Sequence, residues 1–284
     1  VKAESASPII NAMTIDIEDY FHAQALSTRV AARQWDSLPR RVETNTDRAL
    51  ALFADAGVQA TFFVLGWVAE RHPGLIRRIV DQGHELASHG WDHTRVDRQD
   101  AETFRTDVRR TKAQLEDVGG VPVRGYRAAT FSIGAANRWA FDVLQEEGYT
   151  YSSSVYPITH DYYGMPSAPR FTFYPNGRGG IIEHPMTTVR VAGKTLPCSG
   201  GGYFRLLPYW VSRWALRHVN RHDGQPCVFY FHPWEIDAGQ PRIAGLPLKS
   251  RLRHYTNLHG MEARLRRLLE DFAWTRMDRL PFDA

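Results

Sequence analysis

Gln59-Ala-Thr-Phe-Phe-Val-Leu65, then Trp67 to Gln82, then Glu85-Leu-Ala-Ser88, is the stretch that decides the fold. The first run is rich in β-formers and the third is a short strand. The segment between them has helical spacing, with Pro73 early in it and Gly83 as a C-terminal stop. The same alternation runs outward in both directions. Upstream, Ile9–Ile17 reads as a buried strand and Thr44–Ala56 as a helix with Leu50, Leu52 and Phe53 inward, closed by Gly57. Downstream, Asp100–Val118 is a charged amphipathic helix, Val123–Tyr126 a strand, Asn137–Glu147 a helix and Tyr149–Ser153 a strand. Repeated strand–helix alternation at this spacing indicates a parallel α/β fold, open or barrel-like.

After Pro157 the texture changes. Tyr162–Gly202 is rich in Pro, Gly and aromatics, with short strands near Thr172 and Ile181. Leu207–His222 reads as a helix, Cys227–Phe231 as a strand and Met261–Phe272 as a last helix. The chain shows no repeat and no linker. The expectation is an α/β protein, a distorted (β/α) barrel over residues 1–241, with 242–284 as a C-terminal extension packed on it.

Composition fits a soluble globular protein: 284 residues, 43% hydrophobic and 23% charged. Cys198 and Cys227 lie far apart in no metal-type spacing, so no disulfide framework is indicated. No apolar run is long enough to span a membrane, and Val1–Asn11 has no signal-peptide character. A cytoplasmic location is the simplest reading, and a processed N-terminus in a periplasmic protein would look the same. The net charge of +4 resides from Arg242 onward, where nine Lys/Arg face five Asp/Glu. No basic stripe with interleaved aromatics and no Cys/His finger points to nucleic acid. Oligomeric state is not legible.

Chemistry collects at the C-terminal ends of the expected strands, where parallel α/β folds place their sites. Asp16-Ile17-Glu18-Asp19 puts three carboxylates at one strand end, a repulsion that a cation or an Arg relieves. Ser88-His89-Gly-Trp-Asp-His93 holds two imidazoles at i and i+4, close enough on a helical turn to share one ion. His84, just before, reads as structural. His232 follows a hydrophobic strand and is suited to general acid work. Arg127, in Arg124-Gly-Tyr-Arg-Ala-Ala-Thr-Phe131, is placed to orient a carboxylate. Tyr162, Tyr163, Tyr203, Trp210 and Trp234 are candidates to line a sugar cleft.

Taken together and in this order, these motifs resemble the polysaccharide deacetylases of carbohydrate esterase family 4, over roughly Met13–Trp234. The runs Asp16–His22, Ser199-Gly-Gly-Gly-Tyr-Phe-Arg-Leu-Leu-Pro208, His232-Pro-Trp-Glu-Ile-Asp237 and Arg253-His-Tyr-Thr-Asn257 resemble a subfamily found in exopolysaccharide gene clusters. The resemblance implies metal-dependent hydrolysis of N-acetyl groups on a polysaccharide. It implies Asp16 as base, Arg127 orienting it, His232 as acid, and a backbone N–H near Thr130 for the oxyanion. Tyr203 and Trp234 would meet the sugar. His89 and His93 would hold a divalent ion, zinc first, with Co, Ni, Mn or Fe taking the same donors. Two departures stand out. Ile17 occupies the usual ligand position, and Ala129 and Thr130 replace the usual Pro and Tyr. If the strand runs on, Glu18 shares a face with Asp16 and is the third ligand. If the chain turns out at Tyr20, Asp19 swings in beside Asp16. In a third arrangement Glu18 is the base and Asp19 the ligand, so Asp19, the ligand in two of the three, is the expected one. Two other readings are a metal-free hydrolase of small cyclic amides on this fold and an inactive polysaccharide-binding protein.

Overall fold

A computed structural model describes residues 8–280. In chain order the elements are β1 (Ile10–Ile17), α1 (Val42–Ala56), β2 (Thr61–Val64), α2 (Gly66–Arg71), α3 (Pro73–Asp81), β3 (Glu85–Ser88), α4 (Ala101–Gly119), β4 (Gly125–Tyr126), α5 (Trp139–Glu146) and β5 (Tyr151–Ser152). There follow β6 (Ile182–Glu183), β7 (Thr188–Val191), β8 (Lys194–Pro197), α6 (Gly201–Leu206), α7 (Tyr209–His218), β9 (Val228–Phe231), α8 (Leu248–Tyr255), α9 (Leu258–Asp271) and β10 (Ala273–Thr275). Eight strands form one curled parallel sheet in the order β10-β1-β2-β3-β4-β5-β6, with β9 also on β1. Among the described residues no pairing joins β6 to β9, so the barrel is incomplete. β7 and β8 form a separate antiparallel hairpin.

Two local differences from the expected elements have clear causes. The single helix expected from Trp67 to Gln82 is two helices, because a proline disfavours helical backbone at the residue before it. His72 leaves the helix at φ −130°, and Pro73 starts α3. The segment after 241 supplies two helices and the strand β10, which pairs with β1 from Ile10↔Ala273 to Ala12↔Thr275.

The sheet is covered on its outer face by an apolar layer. Phe53 of α1 meets Phe62 of β2 and Phe231 of β9 edge to face, at 6.1 and 6.3 Å. Register matters more for function. Ile17 pairs with Val64, Val64 with Ser88 and Ser88 with Tyr126, so these positions stand at one level. The next residues along three of those strands are Glu18, His89 and Arg127, which therefore emerge side by side. His232 follows Phe231, whose partner is Ile15, and so arrives at the same rim.

Candidate functional site

The rim closes over a cleft of about 380 Å³ that Asp16, Glu18, His89, His93, Thr130 and His232 all line. Glu18, His89 and His93 each offer a ligand atom, and these atoms lie within 4.8 Å of one another. His93 Nε2 is 3.1 Å from Glu18 Oε2. That oxygen is buried and has no hydrogen-bond partner, and Glu18 Oε1 accepts from Trp234 Nε1 at 3.1 Å. Burial pushes the Glu18 carboxyl up to about 7, against the pull of His232. His89 donates from Nδ1 to the Arg127 carbonyl at 2.8 Å, which fixes the ring and leaves Nε2 bare. Burial lowers the pKa of both imidazoles, and in His93 the His89 ring adds to the effect. Neutral imidazoles and an orphaned carboxylate oxygen at this spacing fit a divalent cation.

His89 and His93 do not meet on a helical turn, as their spacing suggested. Ser88 ends β3, and the residues after it form a loop in which His93 has φ 60°. A left-handed conformation at a non-glycine residue costs about 1–3 kcal/mol and is held by its surroundings. Here the Trp91 N–H donates to Asp107 of α4 at 2.7 Å, pinning the middle of the loop. His84 is structural, accepting at Nδ1 from the Ala60 N–H.

Asp19, expected as the third ligand, is elsewhere. β1 ends at Ile17 and the chain turns at once, but the turn carries Asp19 away from the imidazoles. Its carboxylate accepts from the amides of Tyr20 at 2.9 Å, Arg41 at 2.6 Å and Val42 at 3.0 Å. It therefore caps the entry to α1 and is not available to an ion. The carboxylate beside His89 and His93 is that of Glu18.

Asp16 lies behind the donor set. Arg127, fully buried, donates to Asp16 Oδ1 at 2.7 Å and is itself held by Thr14 Oγ1 and by the Ser153 carbonyl and hydroxyl. Asp16 Oδ2 faces His232 Nε2 at 3.9 Å, and Glu18 Oε1 is 3.3 Å from the same nitrogen. Burial opposes the charge on His232, but Glu18, Glu235 and Asp16 outweigh it and raise its pKa to about 9.

The support for His232 was missed in the sequence. Glu235 Oε2 contacts His232 Nδ1 at 3.0 Å and also accepts from its backbone N–H. Glu235 Oε1 takes Nε of Arg205 at 2.8 Å, and Arg205 donates on to the carbonyls of Arg253, His254 and Thr256. Burial raises the Glu235 pKa, but Arg205 and His232 more than offset it and bring it to about 2. Gly201 makes room for this pair, since a Cβ there would sit 1.9 Å from Glu235 Oε2. The signal was present as two quoted runs, Ser199–Pro208 and His232–Asp237, with nothing in either to say that they touch.

Of the aromatic candidates, Tyr162, Tyr163 and Tyr203 line the cleft, and Thr130 joins them with φ 56° and a buried hydroxyl that has no partner. Trp234 borders the cleft with its ring stacked on His232 and His254, at 5.0 and 4.3 Å, so it braces the site more than it offers a free face. Trp210 does not line the cleft; it stands on the outside of α7, 70% exposed.

Residues 23–152 match the polysaccharide deacetylase family, and residues 153–281 match a domain of unknown function, DUF3473. Over 66 residues, 23% of its length, the chain is 38% identical to the peptidoglycan-N-acetylglucosamine deacetylase PgdA of Listeria monocytogenes. Over 99 residues, 35% of its length, it is 32% identical to a chitooligosaccharide deacetylase of Rhizobium leguminosarum bv. trifolii. These alignments take in 14% and 43% of the two relatives. The fold is similar to that of a Mycobacterium smegmatis protein provisionally assigned as a polysaccharide deacetylase, with TM-score 0.63 and 21% identity over 98% of this chain and 91% of that one. It is also similar to that of PuuE allantoinase, with TM-score 0.62 and 16% identity over 96% and 88%.

Proposed function

We propose, from the premise that this chain belongs to the polysaccharide deacetylase family, carbohydrate esterase family 4, that it is a metal-dependent hydrolase removing N-acetyl groups from the sugars of a polysaccharide. The observation that carries the reading is the convergence of Glu18, His89 and His93 around an orphaned buried carboxylate oxygen, beside Asp16 and His232. Glu18, His89 and His93 would hold the ion, zinc first, with Co, Ni, Mn or Fe taking the same donors. The chemistry such an ion supplies is Lewis acidity toward the acetyl carbonyl and the attacking water.

The chain's own residues do the rest. Asp16, oriented by Arg127, takes the proton of the attacking water at Oδ2. Water oxygen adds to the acetyl carbon, and a backbone N–H near Thr130 receives the developing oxyanion. His232 gives its Nε2 proton to the amine as the C–N bond breaks, leaving acetate and a free amino sugar. Glu235 and Arg205 hold His232 to that task. Tyr162, Tyr163 and Tyr203 supply ring faces to the sugar. Residues 153–281 are required for this chemistry, because His232, Glu235 and Arg205 all belong to them. The polymer is proposed to be an exopolysaccharide undergoing synthesis or modification, on the resemblance carried by the four sequence runs.

The test is acetate release from N-acetylglucosamine oligomers by the purified protein. Chelation should abolish it and zinc or cobalt should restore it. Full activity after complete removal of metal would overturn the reading in favour of the metal-free amide hydrolase.

A further inference from the structure

Trp210 and Trp214 are large apolar side chains left in solvent, 70% and 47% exposed. They stand four residues apart on α7, which puts them on one face with Cβ atoms about 5–6 Å apart. His218 and His222 continue the stripe beyond them, their rings stacked at 4.6 Å. Arg213, Arg217 and Arg221 line the same groove, about 460 Å³ in volume, and among the described residues no carboxylate lines it. Asp271 answers from behind, 2.8 Å from Arg213 and 3.3 Å from Arg217, and Asp223 lies 3.7 Å from His222. Leu206, itself 48% exposed, lines the cleft at the end of α6, and α7 begins three residues later at Tyr209.

We propose that the outer face of α7 is a second binding surface for the substrate polymer, and that the polymer it fits is an acidic polysaccharide. The proposal rests on the reading of the cleft as a deacetylase site. Indole faces pack on the C–H faces of pyranose rings, and the Trp spacing is on the order of one sugar unit. Guanidinium groups pair with carboxylates in fixed, two-pronged geometry. A neutral glycan would leave Arg221 unanswered, since among the described residues no carboxylate pairs with it, whereas Asp271 already meets Arg213 and Arg217. A membrane surface asks for an apolar face segregated from a cationic one. Here Arg213 follows Trp210 by three residues and Arg217 follows Trp214 by three, so cations and rings share one face, a basic stripe with interleaved aromatics that the sequence alone did not reveal. On this proposal the polymer would reach α7 by leaving the cleft at Leu206, beside the junction of α6 and α7.

The experiment is affinity electrophoresis of the metal-loaded protein in gels containing heparosan, a polymer of alternating glucuronate and N-acetylglucosamine. Acetate release from an N-acetylglucosamine hexamer is measured in parallel. Heparosan should retard the wild type. The Trp210→Ala/Trp214→Ala double variant, and separately Arg221→Glu, should weaken that binding about tenfold, on the order of 1.4 kcal/mol. Hexamer turnover should stay at the wild-type level, which also reports that the variants fold. Equal retardation of wild type and both variants overturns the proposal. So does a wild type that ignores heparosan but binds phosphatidylglycerol vesicles through these residues. Heparosan retardation that depends on Trp210, Trp214 and Arg221 in a protein with no hexamer turnover upholds the surface and counts against the deacetylase reading alone.

Discussion

Glu18 and Asp19 are adjacent carboxylates with opposite duties, and substitution should separate them. Glu18→Gln keeps the shape of the side chain but removes the anionic oxygen facing His93. Zinc affinity, measured by competition with a chromogenic chelator, should fall by more than the roughly 10–100-fold that loss of an outer partner costs. Asp19→Ala should leave zinc affinity near the wild-type value while unfolding becomes easier by about 1–2 kcal/mol, the size of a lost helix cap. Zinc lost from Asp19→Ala and retained by Glu18→Gln would reverse the assignment. The sequence framed this choice without deciding it. Both residues have the right chemistry, and the outcome depends on Arg41 and Val42 offering their amides to Asp19 from 22 and 23 residues away. Asp16, His89, Arg127 and His232 were legible because each lies at the C-terminal end of a strand, and strand ends in a parallel sheet converge; His93 was legible by its spacing from His89. The geometry of His89 and His93 was not legible. An i, i+4 spacing looks alike on a helix and on a loop held at positive φ.

Among the elements, α6 shows why three identical glycines are not equivalent. A Cβ on Gly201 would collide with the Glu235 carboxylate, whereas one on Gly202 would meet nothing within 4 Å. Gly201→Ala must therefore displace Glu235 from His232. Turnover should fall by roughly 10²–10⁴-fold, the size of a general acid's contribution, with zinc content unchanged. Gly202→Ala should be near neutral in the same assay. Equal rates for the two variants would remove Glu235 from its positioning role. Elements with strong period were read well from sequence, as α1 and α4 show. The β7–β8 hairpin, α6 and α8 were not, because their residues are set by what they pack against and carry no long pattern of their own. Leu248 and Leu252 of α8, for instance, are exposed, so its apolar residues do not mark a buried stripe.

At the scale of the whole molecule, the end of the barrel opposite the cleft is tied by one buried carboxyl. Glu85 of β3 accepts from Thr61 of β2 at 2.5 Å, from the Tyr151 hydroxyl of β5 at 2.7 Å and from the Asp278 N–H at 3.2 Å. Burial, reinforced by the Asp278 charge, pushes its pKa from 4.5 up to about 7. A folded-state pKa above the unfolded value means that the group's contribution is complete below about 4.5 and is lost as pH rises through about 7. The melting temperature of the wild type should therefore decline between about pH 5 and pH 8 by an amount that Glu85→Gln abolishes, since the amide still offers an acceptor and cannot ionise. Parallel melting curves for the two proteins across that range would show that Glu85 does not ionise in the fold.

β1 is paired along its length by β2, β9 and β10, so the strand carrying Asp16 is completed by residues 228–231 and 273–275. During synthesis it leaves the ribosome well before β9 and β10 and has to wait for those partners, more than 200 positions behind it. Contacts of such long sequence separation slow folding and leave strand edges open in the interval. The two family matches that meet between residues 152 and 153 thus divide ancestry and not cooperativity. A fragment ending at 152 would hold the acidic run Asp16–Asp19 and both imidazoles on a sheet with a bare edge, and should emerge from the ribosome as a client for chaperones.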